Sequence, residues 1–279
     1  MHRLDSHSSN GTGPWLPPVI GHRGAAGEAP ENTLVGLRRA HALGCRWVEF
    51  DVRLTADGEL ILLHDDRLER TTNGRGHARE LTLAAIRRFD AGAWFDPLFV
   101  GEPVPTLDGA IALLAELGLG ANIELKSGPG DALATALAAT EILSRSWPRH
   151  LPAPLVSSFL DKAIEAARDH APDVPRGLLI RSVTAARQRR AADFGCMTIN
   201  VDHQYLRPAI VTRLREAGYF VMAYTVNDAV RANELWQWGV SSVFSDFPNI
   251  MNSAVTVDRA QPVTRPRLFP TLSRRDAIS

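Results

Sequence analysis

Residues 19–66 read VIGHRGAAGEAPENTLVGLRRAHALGCRWVEFDVRLTADGELILLHDD. Two apolar runs in this stretch, VIG and WVEFDV, have the composition of buried strands. Because side chains alternate between the two faces of a strand, Glu49 and Asp51 share one face, while the apolar residues beside them share the other. Two carboxylates on one face of an apolar strand are costly to bury unless a partner or a cation neutralises them.

A second acidic strand is predicted at residues 121–126, ANIELK, where Asn122, Glu124 and Lys126 share a face. Taken alone, Glu49 and Asp51 could be a solvated pair on an exposed strand. The repetition of the pattern favours a shared site instead, and a hard divalent cation would relieve the repulsion among the carboxylates.

The connections between these strands predict which side chains come together. Asn32 or Thr33 can cap a helix that runs to about Leu43. After the second strand, Ala56-Asp57-Gly58 is a strong hairpin signal, and the chain returns as ELILLH. The hairpin therefore brings His64 back beside the acids.

The combination of short motifs in this chain resembles the glycerophosphodiester phosphodiesterase family. Any one of these motifs is weak alone, but all of them occur here in the family's order. They are His22-Arg23-Gly24, Glu31-Asn32-Thr33, Glu49-x-Asp51, His64-Asp65 and Glu124-x-Lys126. The resemblance extends from about Val19 to about Pro248 and implies an enzyme that hydrolyses phosphodiesters.

Strand-like and helix-like segments alternate regularly after Glu124, ending with a strand at 241–246. Counted from Val19 without the returning hairpin strand, the pattern gives eight strands. Repeated βα units of that number predict a closed (β/α)8 TIM barrel, which typically takes about 250 residues. Reactive groups in such barrels gather at the carboxyl ends of the strands.

A long segment, residues 67–105, separates the returning hairpin strand from the next helix. Connections in βα units usually take about 2–6 residues, so this insertion predicts a functional cap or lid. Its aromatic residues Trp94 and Phe95 are interpreted as a small core of the insertion in preference to substrate contacts. We expect a flexible arm at 1–18, a phosphodiesterase domain at 19–260 and a C-terminal tail at 261–279.

Composition limits the possible partners. The 279 residues include 31 basic and 31 acidic side chains, so nothing predicts nucleic acid or an anionic membrane as the partner. No apolar run is long enough for a signal peptide or a membrane span, which gives a cytoplasmic enzyme as the expectation. Cys45 and Cys196 are interpreted as reduced, buried thiols. The sequence leaves the oligomeric state open.

The chemistry and the resemblance together assign roles to the main site residues. Glu49, Asp51 and Glu124 are the predicted ligands of one divalent cation, Mg²⁺ or Ca²⁺, since both prefer oxygen ligands. Arg23 and Lys126 are expected to neutralise the substrate phosphate. The resemblance implies that His22 and His64 transfer protons, although the sequence leaves open which is the acid and which is the base.

Further residues have expected supporting roles. Asn32 is assigned to the substrate, with a hydrogen bond to a metal ligand as the alternative, and Glu31 is expected to anchor its loop. Tyr224 is a predicted substrate contact, because Tyr224-Thr225-Val226-Asn227 stands where the family usually has Trp-Thr-Val-Asn. Ser245-Asp246-Phe247-Pro248 resembles the family's closing Thr-Asp-x-Pro, and a loop and helix cap is at least as good an interpretation of it as a direct role.

The resemblance implies hydrolysis of a small glycerophosphodiester to glycerol 3-phosphate and an alcohol. Two alternatives use the same site. One is the cleavage of a lysophospholipid or another phosphodiester, and the other is a non-catalytic barrel that binds a phosphodiester. Whether water or a neighbouring substrate hydroxyl attacks the phosphorus stays open at this stage.

Overall fold

Eight parallel strands close into a barrel in the computed structural model, which describes residues 16–128 and 130–255. The strands are β1 (Val19–Gly21), β2 (Trp47–Leu54), β3 (Leu60–Leu62), β4 (Gly120–Leu125), β5 (Leu155–Ser158), β6 (Arg176–Ile180), β7 (Thr198–Asp202), β8 (Phe220–Tyr224) and β9 (Ser242–Ser245). The barrel order is β1-β9-β8-β7-β6-β5-β4-β2, and pairing between β1 and β2 closes it. The remaining strand, β3, pairs antiparallel with β2 as the returning strand of the hairpin and is not one of the eight. The predicted TIM barrel is therefore confirmed.

Except for one short helix, α2, which lies in the insertion, the helices follow the strands around the outside of the barrel. They are α1 (Leu34–Ala42), α2 (Leu83–Ile86), α3 (Leu107–Leu117), α4 (Ala132–Ser146), α5 (Asp161–His170), α6 (Ala185–Asp193), α7 (Pro208–Glu216), α8 (Ala229–Trp238) and α9 (Pro248–Ala254). Thr33 is the N-cap of α1, and its hydroxyl accepts a hydrogen bond from Gly36 N at 3.0 Å. In residues 16–128 and 130–255, no helix is both long and apolar enough to cross a membrane.

Two layers of apolar side chains hold the barrel together. The outer layer lies between strands and helices and includes Val48, Phe50 and Val52 of β2, as the alternation of that strand predicts. The inner layer fills the barrel and includes Trp47. A side chain at Gly120 on the neighbouring strand would bring its Cβ to within 2.4 Å of the indole of Trp47, so glycine is required there.

The insertion has its own core, formed by aliphatic side chains, among them Leu68, Ile86 and Val104. Trp94 is 40% exposed and contacts Phe95 edge to face, so the interpretation of Trp94 and Phe95 as this core is wrong. Aliphatic side chains fill the small interior without them. The insertion leaves and rejoins the barrel at one place, where Ile61 bridges Thr106.

Two other predictions concern the cysteines and the ends of the chain. Cys45 and Cys196 are free and buried, as predicted, and burial raises the pKa of each thiol to about 12. Residues 1–15, most of the expected N-terminal arm, lie outside the described residues, as does the expected tail at 261–279.

Candidate active site

The loop after β1 places two side chains at the mouth of the barrel through a left-handed backbone conformation. Arg23 has φ +47° and Asn32 has φ +56°, values that are uncommon for residues other than glycine. Hydrogen bonds hold both residues in place: Arg23 N donates to Glu49 Oε2 at 2.9 Å, and Asn32 N donates to the Arg23 carbonyl at 3.1 Å. Such strained conformations persist where surrounding contacts determine them and are frequent at functional sites.

Three carboxylates meet inside this mouth. Asp51 of β2 is directly opposite Glu124 of β4 in the parallel register, and Glu49 lies two residues earlier on the same face of β2. Each of the three offers an oxygen within 4.8 Å of the others, and all three side chains are buried. The structure therefore brings the three predicted metal ligands together.

The cluster carries more negative charge than its basic neighbours balance. Arg23 Nε lies 3.3 Å from Asp51 Oδ2, while Lys126 Nζ lies 3.3 Å from Asp51 Oδ1 and 2.6 Å from Glu124 Oε1. Two cationic side chains thus face three carboxylates. With all three carboxylates ionised, one negative charge is left in a buried place, where it is costly.

Unsatisfied oxygens provide a direct test of whether a cation fits here. Glu49 Oε1, Asp51 Oδ1 and Glu124 Oε1 are buried and make no well-aligned hydrogen bond. The last two do lie at ion-pair distance from the Lys126 ammonium, whereas Glu49 Oε1 has no partner among the described residues. Buried polar atoms are nearly always hydrogen-bonded, so one oxygen without a partner beside two that share a single ammonium indicates room for a cationic ligand. Carboxylate oxygens are the donors that Ca²⁺ and Mg²⁺ prefer, so these residues fit a hard divalent cation.

Burial and mutual repulsion change the ionisation of the cluster. Burial, followed by repulsion from Asp51, raises the pKa of Glu124 to about 7, and burial with the same neighbour raises the pKa of Glu49 well above its ordinary range. Burial also acts to raise the pKa of Asp51, but Lys126 and Arg23 outweigh it and lower that pKa below its ordinary value. Asp51 is therefore the permanently charged member of the three.

Asn32 holds Asp51 with both ends of its amide. Its Nδ2 donates to Asp51 Oδ2 at 2.8 Å, and its Oδ1 accepts from Asp51 N at 3.0 Å. Asn32 is only 3% exposed. Of the two roles expected for this residue, these contacts support the one in which it orients a metal ligand.

His22, at the end of β1, is bound through one ring nitrogen to Asp246, just after β9. The Nδ1 to Oδ1 distance is 2.6 Å, and Asp246 Oδ2 accepts from Asn227 Nδ2 at 2.7 Å. Although burial raises the pKa of Asp246, the hydrogen bond from His22 lowers it below its ordinary value, so the carboxylate is ionised and His22 Nδ1 must be the donor. His22 Nε2 lies 3.8 Å from Glu49 Oε2, on the side of the cluster.

His64, two residues after β3, also has a ring nitrogen bound by an aspartate. Its Nδ1 lies 2.6 Å from Asp65 Oδ1. Burial lowers the pKa of His64, and the attraction of Asp51 only partly opposes this effect, with Lys126 and Arg23 acting in the same direction as burial. Each of the two predicted histidines thus has one nitrogen fixed by an aspartate.

Two aromatic side chains lie beside Lys126 at the mouth of the barrel. Lys126 Nζ lies 5.8 Å from the centre of the Phe159 ring, and Phe159 contacts Tyr224 edge to face at 5.7 Å. The Tyr224 hydroxyl donates to the Ile180 carbonyl at 2.9 Å, so its ring is the part left for a ligand. Tyr224 is linked to the site through Phe159, which the sequence analysis did not single out.

The sequence analysis also missed the role of Asp246 as the partner of His22. In a closed barrel the first and last strands are neighbours, and here Gly21 pairs with Ser245. His22 and Asp246 are the next residues along these strands. The register between β1 and β9, the first and last strands of the barrel, was the signal that could have predicted the contact between His22 and Asp246.

Comparison with known proteins agrees with this geometry. Residues 22–250 match the model of the glycerophosphoryl diester phosphodiesterase family. The chain belongs to this family. The predictions of the family and of an enzyme are therefore confirmed.

Several members of the glycerophosphoryl diester phosphodiesterase family cover nearly the whole matched region. The glycerophosphodiester phosphodiesterase of Bacillus subtilis is 32% identical over 254 residues, which is 84% of this chain and 85% of that protein. The enzyme of that name from Caldanaerobacter subterraneus is 30% identical and covers 85% of this chain and 97% of its own length.

A solved structure gives the most informative similarity. It is an Oleispira antarctica phosphodiesterase in complex with the product sn-glycerol-3-phosphate, with a TM-score of 0.84 and 39% identity. The match covers 86% of this chain and 97% of the other chain. The family's five motifs, scattered along the sequence, thus converge at one barrel mouth in this chain.

Proposed function

We propose that this protein hydrolyses glycerophosphodiesters to glycerol 3-phosphate and an alcohol. One observation carries the proposal: three buried carboxylates meet beside two histidines, each of which is fixed by an aspartate. The product named for the Oleispira antarctica relative supports the same substrate class. With a divalent cation bound to the three carboxylates, an anionic phosphodiester would meet that cation together with Arg23 and Lys126.

Glu49, Asp51 and Glu124 would hold one divalent cation, Mg²⁺ or Ca²⁺. When bound, such a cation supplies Lewis acidity to a phosphodiester oxygen. Arg23 and Lys126 already lie against the ligand carboxylates and can turn their remaining donors toward the substrate phosphate. Fixed donors of this kind stabilise the negative charge that grows in the transition state.

His22 and His64 would transfer the protons. Because an aspartate accepts from Nδ1 of each ring, Nε2 is the atom left to exchange a proton with the substrate. One histidine takes a proton from the attacking oxygen, the other donates one to the departing alkoxide, and the P–O bond to the alcohol breaks as the new P–O bond forms. A positioned acid or base typically contributes about 10²–10⁴-fold in rate.

A substrate panel tests the proposal. Glycerophosphocholine, glycerophosphoethanolamine, glycerophosphoglycerol and a micellar lysophospholipid would each be assayed with Mg²⁺, Ca²⁺ or Mn²⁺ after exhaustive chelation. We expect turnover of the glycerophosphodiesters only after a cation is restored. Undiminished turnover in the chelated enzyme would contradict the metal assignment. Cleavage of the lysophospholipid alone would show that the substrates are lysophospholipids and not small glycerophosphodiesters. Trapping of a cyclic phosphate would identify a substrate hydroxyl as the attacking group.

A further inference from the structure

Arg70 connects the insertion to two separate parts of the site. It lies in the first turns of the insertion, and its side chain reaches the loop after β1 and the residue that follows His64. Its Nη1 donates to Glu31 Oε2 at 2.8 Å and its Nη2 to Glu31 Oε1 at 2.8 Å. Its Nε donates to Asp65 Oδ2 at 2.6 Å and its Nη2 to Asp65 Oδ1 at 3.0 Å. One guanidinium therefore binds two carboxylates, each through a bidentate contact.

Each of these carboxylates has a second partner that faces the acidic cluster. Asp65 Oδ1 binds His64 Nδ1, and Glu31 Oε1 accepts from Arg23 Nη1 at 2.8 Å. Glu31 and Asp65 thus lie between Arg70 on one side and a predicted site residue on the other. These contacts form one continuous hydrogen-bond network from Arg23 through Glu31, Arg70 and Asp65 to His64.

The charged states of Glu31 and Asp65 in this hydrogen-bond network depend on Arg70. Glu31 is largely buried, and hydrogen bonds from Arg70 lower its pKa against the effect of burial. The hydrogen bonds of Arg70 are also the first cause of the lowered pKa of Asp65. Removing Arg70 would leave Glu31 with one cationic partner and would free Asp65, whose side chain is 31% exposed, to turn toward water.

We propose that Arg70 is a positioning residue that sets the orientation of His64 through Asp65 and of Arg23 through Glu31. The inference rests on the proposed function for its catalytic consequence, while the orientation itself is independent of it. The insertion would then complete the site by contributing this guanidinium. Lysine is a poor substitute, because its compact ammonium cannot make two bidentate contacts at once.

Arg67 offers a matched control. It lies three residues earlier on the same insertion and is also a surface arginine, but its Nη2 pairs with Glu69 at 2.6 Å and its Nη1 contacts His77. Neither Glu69 nor His77 belongs to the hydrogen-bond network that links Arg23 to His64. Replacing Arg67 therefore removes the same charge without removing any contact to Glu31 or Asp65.

The kinetic test compares Arg70→Gln, Arg70→Lys and Arg67→Gln. We expect kcat/KM of both Arg70 variants to fall about 10–100-fold, the usual effect of removing a group that orients functional residues. Arg67→Gln should stay within about twofold. Arg70→Gln should also cost much less in an enzyme that already carries Asp65→Asn and Glu31→Gln. Full activity in Arg70→Gln, or an undiminished cost in that background, would overturn the proposal.

A spectroscopic test is independent of turnover. Nitrogen-15 NMR reports which imidazole nitrogen of neutral His64 carries the proton. We expect Nδ1–H in the wild type and in Arg67→Gln, and a mixture of tautomers in Arg70→Gln and Arg70→Lys. An unchanged Nδ1–H signal in both Arg70 variants would refute the positioning role. If the wild type hydrolyses none of the panel substrates while the tautomer shift is seen, the proposed function fails and the positioning role stands.

Discussion

At the residue scale, Glu124 makes cation binding depend on pH. Its pKa of about 7 exceeds its ordinary value of 4.5, so the folded, metal-free protein keeps a proton in this window that the unfolded chain releases. The contribution of Glu124 to stability therefore falls as pH rises from 4.5 to about 7. A cation that binds the carboxylate must displace this proton.

Because the pKa of Glu49 is also raised, a cation can displace one proton from each of the two carboxyls, so we expect calcium and magnesium affinity to fall by about 10–100-fold for each pH unit below 7. Titration calorimetry in buffers of different ionisation enthalpy measures the protons released. Glu124→Gln should bind more weakly and release fewer protons. An affinity that is constant between about pH 5.5 and 8 would contradict the assignment of Glu124 as a ligand.

Replacement of either site histidine by asparagine is the second test at this scale. For His22→Asn and His64→Asn, we expect kcat to fall about 10²–10⁴-fold, because a proton-transfer group is lost. Cation affinity should stay close to that of the wild type, since the proposed ligands are untouched. His41→Asn, at an exposed position on α1, is the control and should keep full activity. Wild-type turnover in His22→Asn would contradict the assignment of His22 as a proton-transfer group.

At the scale of the element, the start of α1 supports the loop that carries Arg23 and Asn32. The Thr33 hydroxyl accepts from Gly36 N and donates to the Pro30 carbonyl at 2.7 Å, in a buried place. Thr33→Ala removes the cap and leaves a buried carbonyl unpaired, so we expect a loss of about 2–3 kcal/mol in the free energy of unfolding. Urea denaturation measures this loss.

Two companion variants separate the cap from the buried bond. Thr33→Ser keeps the hydroxyl and should recover most of the stability. Thr184 caps α6 at an exposed position, where its hydroxyl accepts from Arg187 N at 3.2 Å, so Thr184→Ala should cost only about 1 kcal/mol. Equal losses at the two threonines would show that the Pro30 contact contributes nothing.

At the scale of the whole molecule, Trp47 fills the barrel interior and is completely buried, together with Ile20, Leu155 and Met222. Its removal leaves a large cavity that strands on opposite sides cannot close. We expect Trp47→Ala to lower the free energy of unfolding by about 3–5 kcal/mol. Thermal or urea denaturation checks this value, and Trp94→Ala, at a 40% exposed position, should change stability far less.

The local signals in the sequence were sufficient to predict the barrel and most of the residues that meet at its mouth. The hydrophobic alternation of β2 and β4 placed Glu49, Asp51 and Glu124 on one face, and the turn at Gly58 returned His64 to them. Contacts between distant segments were not visible in the same way. The bond from His22 to Asp246 depends on the closing register of the barrel, and the bonds of Arg70 depend on how the insertion folds back over the β1–α1 loop.

The insertion illustrates this difference most clearly, because its two ends lie side by side. Ile61 bridges Thr106, and Leu62 N donates to the Pro105 carbonyl at 2.9 Å. Since the joints are adjacent, the insertion at 67–105 can be exchanged for one of another length while His64, Asp65 and every barrel strand stay in place. A chimera that takes this segment from a relative should keep its architecture, and its turnover would then depend on whether the graft returns an arginine to Glu31 and Asp65.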